Sequence, residues 1–254
     1  MKKRVLRAVF FDIDDTLYSS SEFAAMARLN AVKAMIKAGL RMELKECLVI
    51  VNKIVARKHS NYNHLFNDLL KTAGKSRYPD SNPSVLIAAG VVAYHQTKNT
   101  WLKPYPDVME VLKILKQSTP LTLGVISSGF TIKQAEKIYR CGLTRFLDPK
   151  AIFFSQDLGV DKPDKGFFSI PCERIGVRPQ EAMYVGDRPE NDLVPAMALG
   201  MVGVLNRRTG KYMDTRSRSK PDYIIHDFWE LLECITSNFE LVPVRAGPGV
   251  GQGS

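Results

Sequence analysis

The sequence predicts an α/β protein: a doubly wound parallel sheet with a helical module inserted near its start. Three observations carry that expectation. Ala8-Val9-Phe10-Phe11 runs straight into Asp12, Asp14 and Asp15, an apolar stretch that suits a strand buried on both faces. From Glu22 to about Trp101, apolar residues recur at helical spacing with no strand signal. After Pro104-Tyr105-Pro106, short apolar runs alternate with helical segments, the pattern of βα units in a parallel sheet.

In chain order, a first strand at about Arg7 to Phe11 ends in the acidic cluster. The inserted module then opens with a helix from Glu22, for which Gly39 is the C-cap. Further helices are expected over Glu43 to Lys58, Tyr62 to Thr72, and Pro83 to Tyr94. Beyond the module come a helix at Asp107 to Gln117, a strand at Leu121 to Ile126 and a helix at Thr131 to Arg140. Strands follow at Ala151 to Phe154, Ala182 to Val185 and Met201 to Leu205. Tyr223 to Ile225 reads as an edge strand before a last helix at Phe228 to Ser237. Pro171 and Pro195 fall within helical segments and should make those helices start late or bend. The boundaries implied are a core of 1–18 with 104–238, a helical insert of 19–103, and a disordered tail of 239–254.

At 254 residues, 45% hydrophobic and 24% charged, the composition is that of an ordinary globular protein with a substantial core. The longest apolar run, Val85 to Tyr94, is about half the ~20 residues needed to cross a bilayer, so no membrane partner is expected. Met1-Lys2-Lys3-Arg4 is basic, but the apolar segment behind it meets Asp12 too soon for a signal peptide. Cys47, Cys141, Cys172 and Cys234 are scattered without metal-binding spacing, which favours reduced thiols and a cytoplasmic setting. The net charge of +10 concentrates in Asn206 to Lys220, which carries Arg207, Arg208, Lys211, Arg216, Arg218 and Lys220. With one aromatic and no recognition module, that segment reads as a solvated loop, and nucleic acid is not an expected partner.

Polar groups cluster just beyond strand ends: Asp12, Asp14 and Thr16; Ser127 and Ser128; Lys162; Asp187 and Asp192. Ligands of open α/β sheets bind at those carboxyl ends. Asp12 and Asp14, two apart, project the same way and repel one another unless a cation lies between them. Oxygen ligands of this type suit Mg²⁺, which keeps waters and pairs with substrate phosphate. One carboxylate can attack phosphorus and a second can move a proton. Hydroxyls and a lysine can hold the phosphoryl oxygens.

Phe10-Phe11-Asp12-Ile13-Asp14-Asp15-Thr16 is similar to the first motif, DxDxT, of the haloacid dehalogenase-like superfamily of phosphohydrolases. Val125-Ile126-Ser127-Ser128-Gly129 resembles its second motif, Lys162-Pro163 its third, and Val185-Gly186-Asp187 through Asp192 its fourth. The motifs occur in the family's order, and the resemblance spans about residues 5 to 235. It implies a Rossmann-like core with the insert as a C1 cap that selects the substrate. It implies catalytic roles for Asp12 as nucleophile, Asp14 as general acid and base, and Lys162 as charge neutraliser. Thr16, Ser127, Ser128 and Lys162 form the implied phosphate set, Thr16 by stabilising the loop. Mg²⁺ is the implied cofactor, held by Asp12, the backbone carbonyl of Asp14, Asp187, and Asp192 through water or from behind.

Two positions depart from the family pattern. Asp15 stands where many members have Gly, and Ser128 where Asn is common. Lys165 rivals Lys162, although Lys162-Pro163 fits the motif better. Taken singly, an Asp pair is more often a turn residue, a Ser a helix cap, and a Lys a solvated charge. Four clusters converging outweigh those readings, whereas His59, His64, His95 and His226 show no such spacing. The expectation is an Mg²⁺-dependent phosphatase acting on a small phosphorylated metabolite through an aspartyl-phosphate. The alternatives are a phosphotransferase or mutase of the same superfamily, or a non-catalytic basic binding protein on the same fold. Phosphoglycolate, a triose phosphate and a nucleotide all remain open as substrates.

Overall fold

The computed structural model describes residues 3–58, 62–208 and 219–244. It forms two compact units, Met1–Ser19 with Lys103–Ser254, and Ser20–Leu102. The first unit starts with two short strands, β1 (Arg4–Leu6) and β2 (Ala8–Phe11).

The second unit is helical, with α1 (Ser20–Lys37), α2 (Leu44–Lys58), α3 (Leu65–Ala73) and α4 (Pro83–Trp101). Its core is built from one stripe of each helix, including Val32 and Met35, Cys47 and Val51, Leu69 and Leu70, and Leu86. Asn82 starts α4: its side chain accepts from Ser84 N–H at 2.9 Å, and Pro83 follows as the first helical residue. Such a cap is worth about 1 kcal/mol, and proline there presets φ while forfeiting no helical hydrogen bond. Helix α4 runs a further two turns beyond Tyr94, ending before Pro104, which disfavours helical backbone at the residue preceding it.

The chain then completes the first unit. In order come α5 (Pro106–Ser118), β3 (Thr122–Ser127), α6 (Thr131–Arg140), β4 (Ile152–Phe154), the single turn α7 (Ser155–Leu158) and α8 (Gly166–Arg174). There follow β5 (Ala182–Gly186), α9 (Val194–Ala198), β6 (Val202–Asn206), β7 (Tyr223–Ile225), α10 (Phe228–Asn238) and β8 (Phe239–Leu241). Six strands form one sheet in the order β4-β3-β2-β5-β6-β7, every pairing parallel. Strand β2 is central, with Phe10 opposite Gly124 on one side and Tyr184 on the other. The strand order reverses beside β2, so its carboxyl end opens at the switch point where such sheets bind ligands.

Alternation along β2 serves two core layers. Ala8 and Phe10 join Phe167, Phe168 and Tyr184 on one face, where the Phe168 and Tyr184 rings meet edge to face at 4.9 Å. Phe11 points to the other face and stacks on Phe228 at 5.8 Å. The doubly wound parallel sheet expected from the sequence is therefore the architecture observed.

Two details differ from the expectations. The segment from 239 is not wholly a tail: Phe239–Leu241 pairs in parallel with Arg4–Leu6, and Phe239 is buried. Two three-residue strands far apart in sequence leave no local pattern to read. Arg208, placed in a solvated loop, instead pairs with Asp107 and lies over the Tyr105 ring at 4.5 Å. Helix α9 starts late, at Val194 immediately before Pro195, as expected, while Pro171 sits inside α8, which ends three residues later. The remainder of the basic segment, 209–218, and the glycine-rich end, 245–254, lie outside the described residues.

Candidate active site

Strand β2 delivers Asp12 to the carboxyl edge of the sheet, where its N–H donates to Val185 O at 2.9 Å. That bond continues the ladder one residue past the strand and fixes the backbone of Asp12. Strand β3 ends in Ser127, whose hydroxyl donates to Asp12 Oδ1 at 3.0 Å. The loop before α8 brings Lys162 Nζ to the same oxygen at 2.9 Å. Lys162 Nζ also lies 2.7 Å from Asp192 Oδ1, close enough for an ion pair though not aligned as a hydrogen bond. The rings of Phe167 and Tyr184 flank the ammonium at 5.6 and 5.5 Å, which shields it from water.

Strand β5 ends in Gly186 and leads to Asp187. The π-helical turn that follows bonds Asp192 N to Arg188 O at 2.8 Å and Arg188 N to Asp192 Oδ2 at 2.9 Å. Such turns are frequent at functional sites, and the extra residue changes which way the following side chains face. Here the re-aimed side chain is Asp192, which is fully buried. A Cβ at Gly186 would collide with its carboxylate, so this approach requires glycine.

Asp12, Asp187 and Asp192 each offer an oxygen within 4.8 Å of the others. Asp187 Oδ1 is buried without a hydrogen-bond partner. Burial, reinforced by the charges of Asp192 and Asp12, lifts the Asp187 carboxyl to about 8. Asp12 is also raised, by burial first, with Lys162 opposing. Three buried carboxylates this close, two of them pushed toward their neutral form and one with an unpartnered oxygen, fit a hard divalent cation.

Asp14 is treated differently. Lys137 Nζ donates to its Oδ1 at 2.8 Å and its Oδ2 at 2.6 Å, and Tyr18 OH donates to Oδ1 at 2.6 Å. Burial alone would raise Asp14, but the Lys137 ammonium and these hydrogen bonds outweigh it and hold the carboxyl below its ordinary value. Burial would conversely lower Lys162, and the Asp12 and Asp192 charges instead push it well above the usual lysine value. The site thus contains two differently tuned lysine–carboxylate pairs side by side. Lys162 and Ser127 both meet Asp12 Oδ1, which suits holding a phosphoryl group beside it. Lys137 and Tyr18 keep Asp14 in its carboxylate form, which suits accepting a proton.

Of the residues singled out from sequence, the structure brings Asp12, Ser127, Lys162, Asp187 and Asp192 together. Asp14 lies beside them. Thr16 is fully buried and its hydroxyl has no hydrogen-bond partner. Ser128 turns its hydroxyl to the Asp161 carboxylate. Lys165 is exposed at the start of α8.

Sequence reasoning did not single out Lys137, Tyr18, Gln134 or Asn206. The Asn206 amide donates to the backbone carbonyls of Asp15 and Thr16 at 3.2 and 3.4 Å, tying β6 to the acidic loop. Gln134, on α6, donates to Ser128 O and is buried. In the sequence, Gln134 and Lys137 read as ordinary polar positions of an amphipathic helix, which carries no signal of this role.

A family profile described as haloacid dehalogenase-like hydrolase matches residues 6–200. Among curated relatives, a glyceraldehyde 3-phosphate phosphatase of Methanocaldococcus jannaschii is 41% identical, covering 91% of this chain and 97% of its own. Its counterpart in Methanopyrus kandleri is 42% identical over 91% and 97%. Among solved structures, a HAD phosphatase from Thermococcus onnurineus superposes with a TM-score of 0.61 at 24% identity, over 92% of this chain and 99% of that one.

Proposed function

The chain belongs to the haloacid dehalogenase-like hydrolases and is a phosphatase of phosphoric monoesters; from that premise we propose that it dephosphorylates glyceraldehyde 3-phosphate with Mg²⁺ as cofactor. The substrate is supported by relatives of that name over nine-tenths of the chain. The chemistry is supported by one observation above the rest: a single oxygen, Asp12 Oδ1, receives both Ser127 and Lys162 beside two further buried carboxylates.

In this reading the other oxygen of Asp12 attacks phosphorus and forms an aspartyl-phosphate. Lys162 and Ser127 hold the phosphoryl oxygens and balance charge as the bond to the leaving oxygen breaks. Asp14, once it has taken up a proton from solvent, passes it to the leaving oxygen, and the carboxylate so regenerated takes a proton from the water that hydrolyses the phospho-enzyme. Asp12, Asp187, Asp192 and the Asp14 carbonyl would hold Mg²⁺, which supplies Lewis-acid neutralisation of the phosphoryl group when bound. The reading includes the helical unit Ser20–Leu102 as the cap that selects among phosphorylated metabolites. It also includes a cytoplasmic setting, suited to four buried free thiols.

The test is phosphate release from a panel of phosphorylated metabolites with Mg²⁺. The expected result is a kcat/KM for glyceraldehyde 3-phosphate at least about tenfold above phosphoglycolate and nucleoside monophosphates. A higher value for another member would replace the substrate, and phosphoryl transfer to a sugar hydroxyl in place of release would replace the reaction.

A further inference from the structure

Helix α6 leaves the Ser127 loop and lays two polar side chains, one turn apart, against the active-site loops. Gln134 donates to Ser128 O, which anchors the start of the helix. Lys137 reaches both oxygens of Asp14, at 2.8 and 2.6 Å. From the other direction Tyr18 donates to Asp14 Oδ1 at 2.6 Å. Tyr18 is 1% exposed, and its backbone bridges to Asp14, so its hydroxyl has no freedom to swing away.

We propose that Lys137 is a positioning residue for the phosphatase reaction, clamping the Asp14 carboxylate with Tyr18 so that it stands ready to serve the leaving oxygen. The inference rests on Asp14 being the proton-transfer residue of the proposed function. An aspartate has two soft side-chain torsions, and a carboxylate at a loop edge would otherwise sample several orientations. Charge-assisted bonds to both oxygens fix both torsions, which is the pre-organisation that proton transfer rewards. Lys162 cannot do this, because its ammonium is engaged by Asp12 and Asp192. The same helix that positions the phosphate-binding loop through Gln134 therefore also positions the acid–base residue through Lys137.

A merely structural ion pair would behave otherwise. Its loss would slow all substrates alike, by whatever fraction of the enzyme became misfolded. A positioning role shows itself only where a proton must be delivered. Nitrophenolate leaves without one; the alkoxide of glyceraldehyde 3-phosphate does not.

The experiment compares wild type with Lys137→Met, Lys137→Arg, Asp14→Asn and the Asp14→Asn/Lys137→Met double variant. Each is assayed as the full chain with Mg²⁺ on glyceraldehyde 3-phosphate and on nitrophenyl phosphate. Lys137→Met should lower kcat on the alkyl phosphate by about tenfold or more beyond any loss on nitrophenyl phosphate, with KM little changed. Lys137→Arg should recover part of that loss, and the double variant should be no slower than Asp14→Asn alone. Equal loss on both substrates, or additive losses in the double variant, would overturn the role of Lys137. If Asp14→Asn does not itself lose more activity on the alkyl phosphate than on nitrophenyl phosphate, the assignment of Asp14 fails, and the inference fails with it.

Discussion

Lys162 Nζ stands 2.9 Å from Asp12 Oδ1, and each side chain is more than nine-tenths buried. A buried pair of this kind adds little net stability while intact, yet removing one member leaves an uncompensated charge at a cost of about 3 kcal/mol or more. Here the cost should be steeper in the absence of metal, because Asp187 and Asp192 share the pocket. Lys162→Met should therefore lower the urea midpoint in EDTA, and Mg²⁺ should restore part of the loss while activity stays low. A variant as stable as wild type in EDTA would show that the carboxylates do not depend on Lys162.

Asp187 is the carboxylate with an unpartnered buried oxygen. Mg²⁺ should raise the melting temperature of wild type, and Asp187→Asn should lose most of that rise. In EDTA at pH 8 the variant should match or exceed wild type, since it removes a charge that its neighbours oppose. A full Mg²⁺-dependent rise in Asp187→Asn would remove Asp187 from the metal site.

Asp15 adopts a positive φ of 54°, the left-handed region, where many members of the family place Gly. Comparing Asp15→Ala with Asp15→Gly isolates the backbone, because both lose the same side-chain contacts. Gly should be the more stable by about 1 kcal/mol, the reverse of the order at an ordinary position. Chemical denaturation giving Ala the advantage would show that the loop relaxes out of this conformation.

Glu181 lies beneath the opposite end of the sheet, accepting from Arg178 at 2.8 Å and lying 3.2 Å from Arg7. The Arg178 hydrogen bond, aided by Arg7, depresses its carboxyl from 4.5 to about 2. For a depressed acid the stabilisation is complete above the unfolded value and drains away as pH falls toward the folded one. Wild type should therefore lose stability from pH 4.5 downward more steeply than Glu181→Gln, measured by urea midpoints across that range. Parallel slopes would mean that the pair contributes nothing to acid sensitivity.

What could be read in the sequence was whatever one strand and the loop after it encode together. Asp12 follows four apolar residues, and Asp187 follows Ala182–Gly186, so period and chemistry coincide in one window. Lys137 was not legible, because a lysine on an amphipathic helix looks like any solvated charge until Asp14, 123 residues away, is folded against it. Asn206 was hidden for the same reason: it acts on carbonyls nearly two hundred residues earlier. The pairing of β1 with β8 is likewise a contact between chain ends, with three residues on each side.

The account turns on Asp12 carrying the phosphoryl group. Acid quenching during turnover of glyceraldehyde 3-phosphate, followed by borohydride reduction and peptide mass spectrometry, locates the acyl phosphate directly. The account predicts reduction to homoserine at position 12 in wild type. It also predicts that Asp12→Asn folds, shows no trapped species, and loses far more than the tenfold in rate that ~1.4 kcal/mol represents. Trapping at any other residue, or rapid turnover by Asp12→Asn, would contradict it.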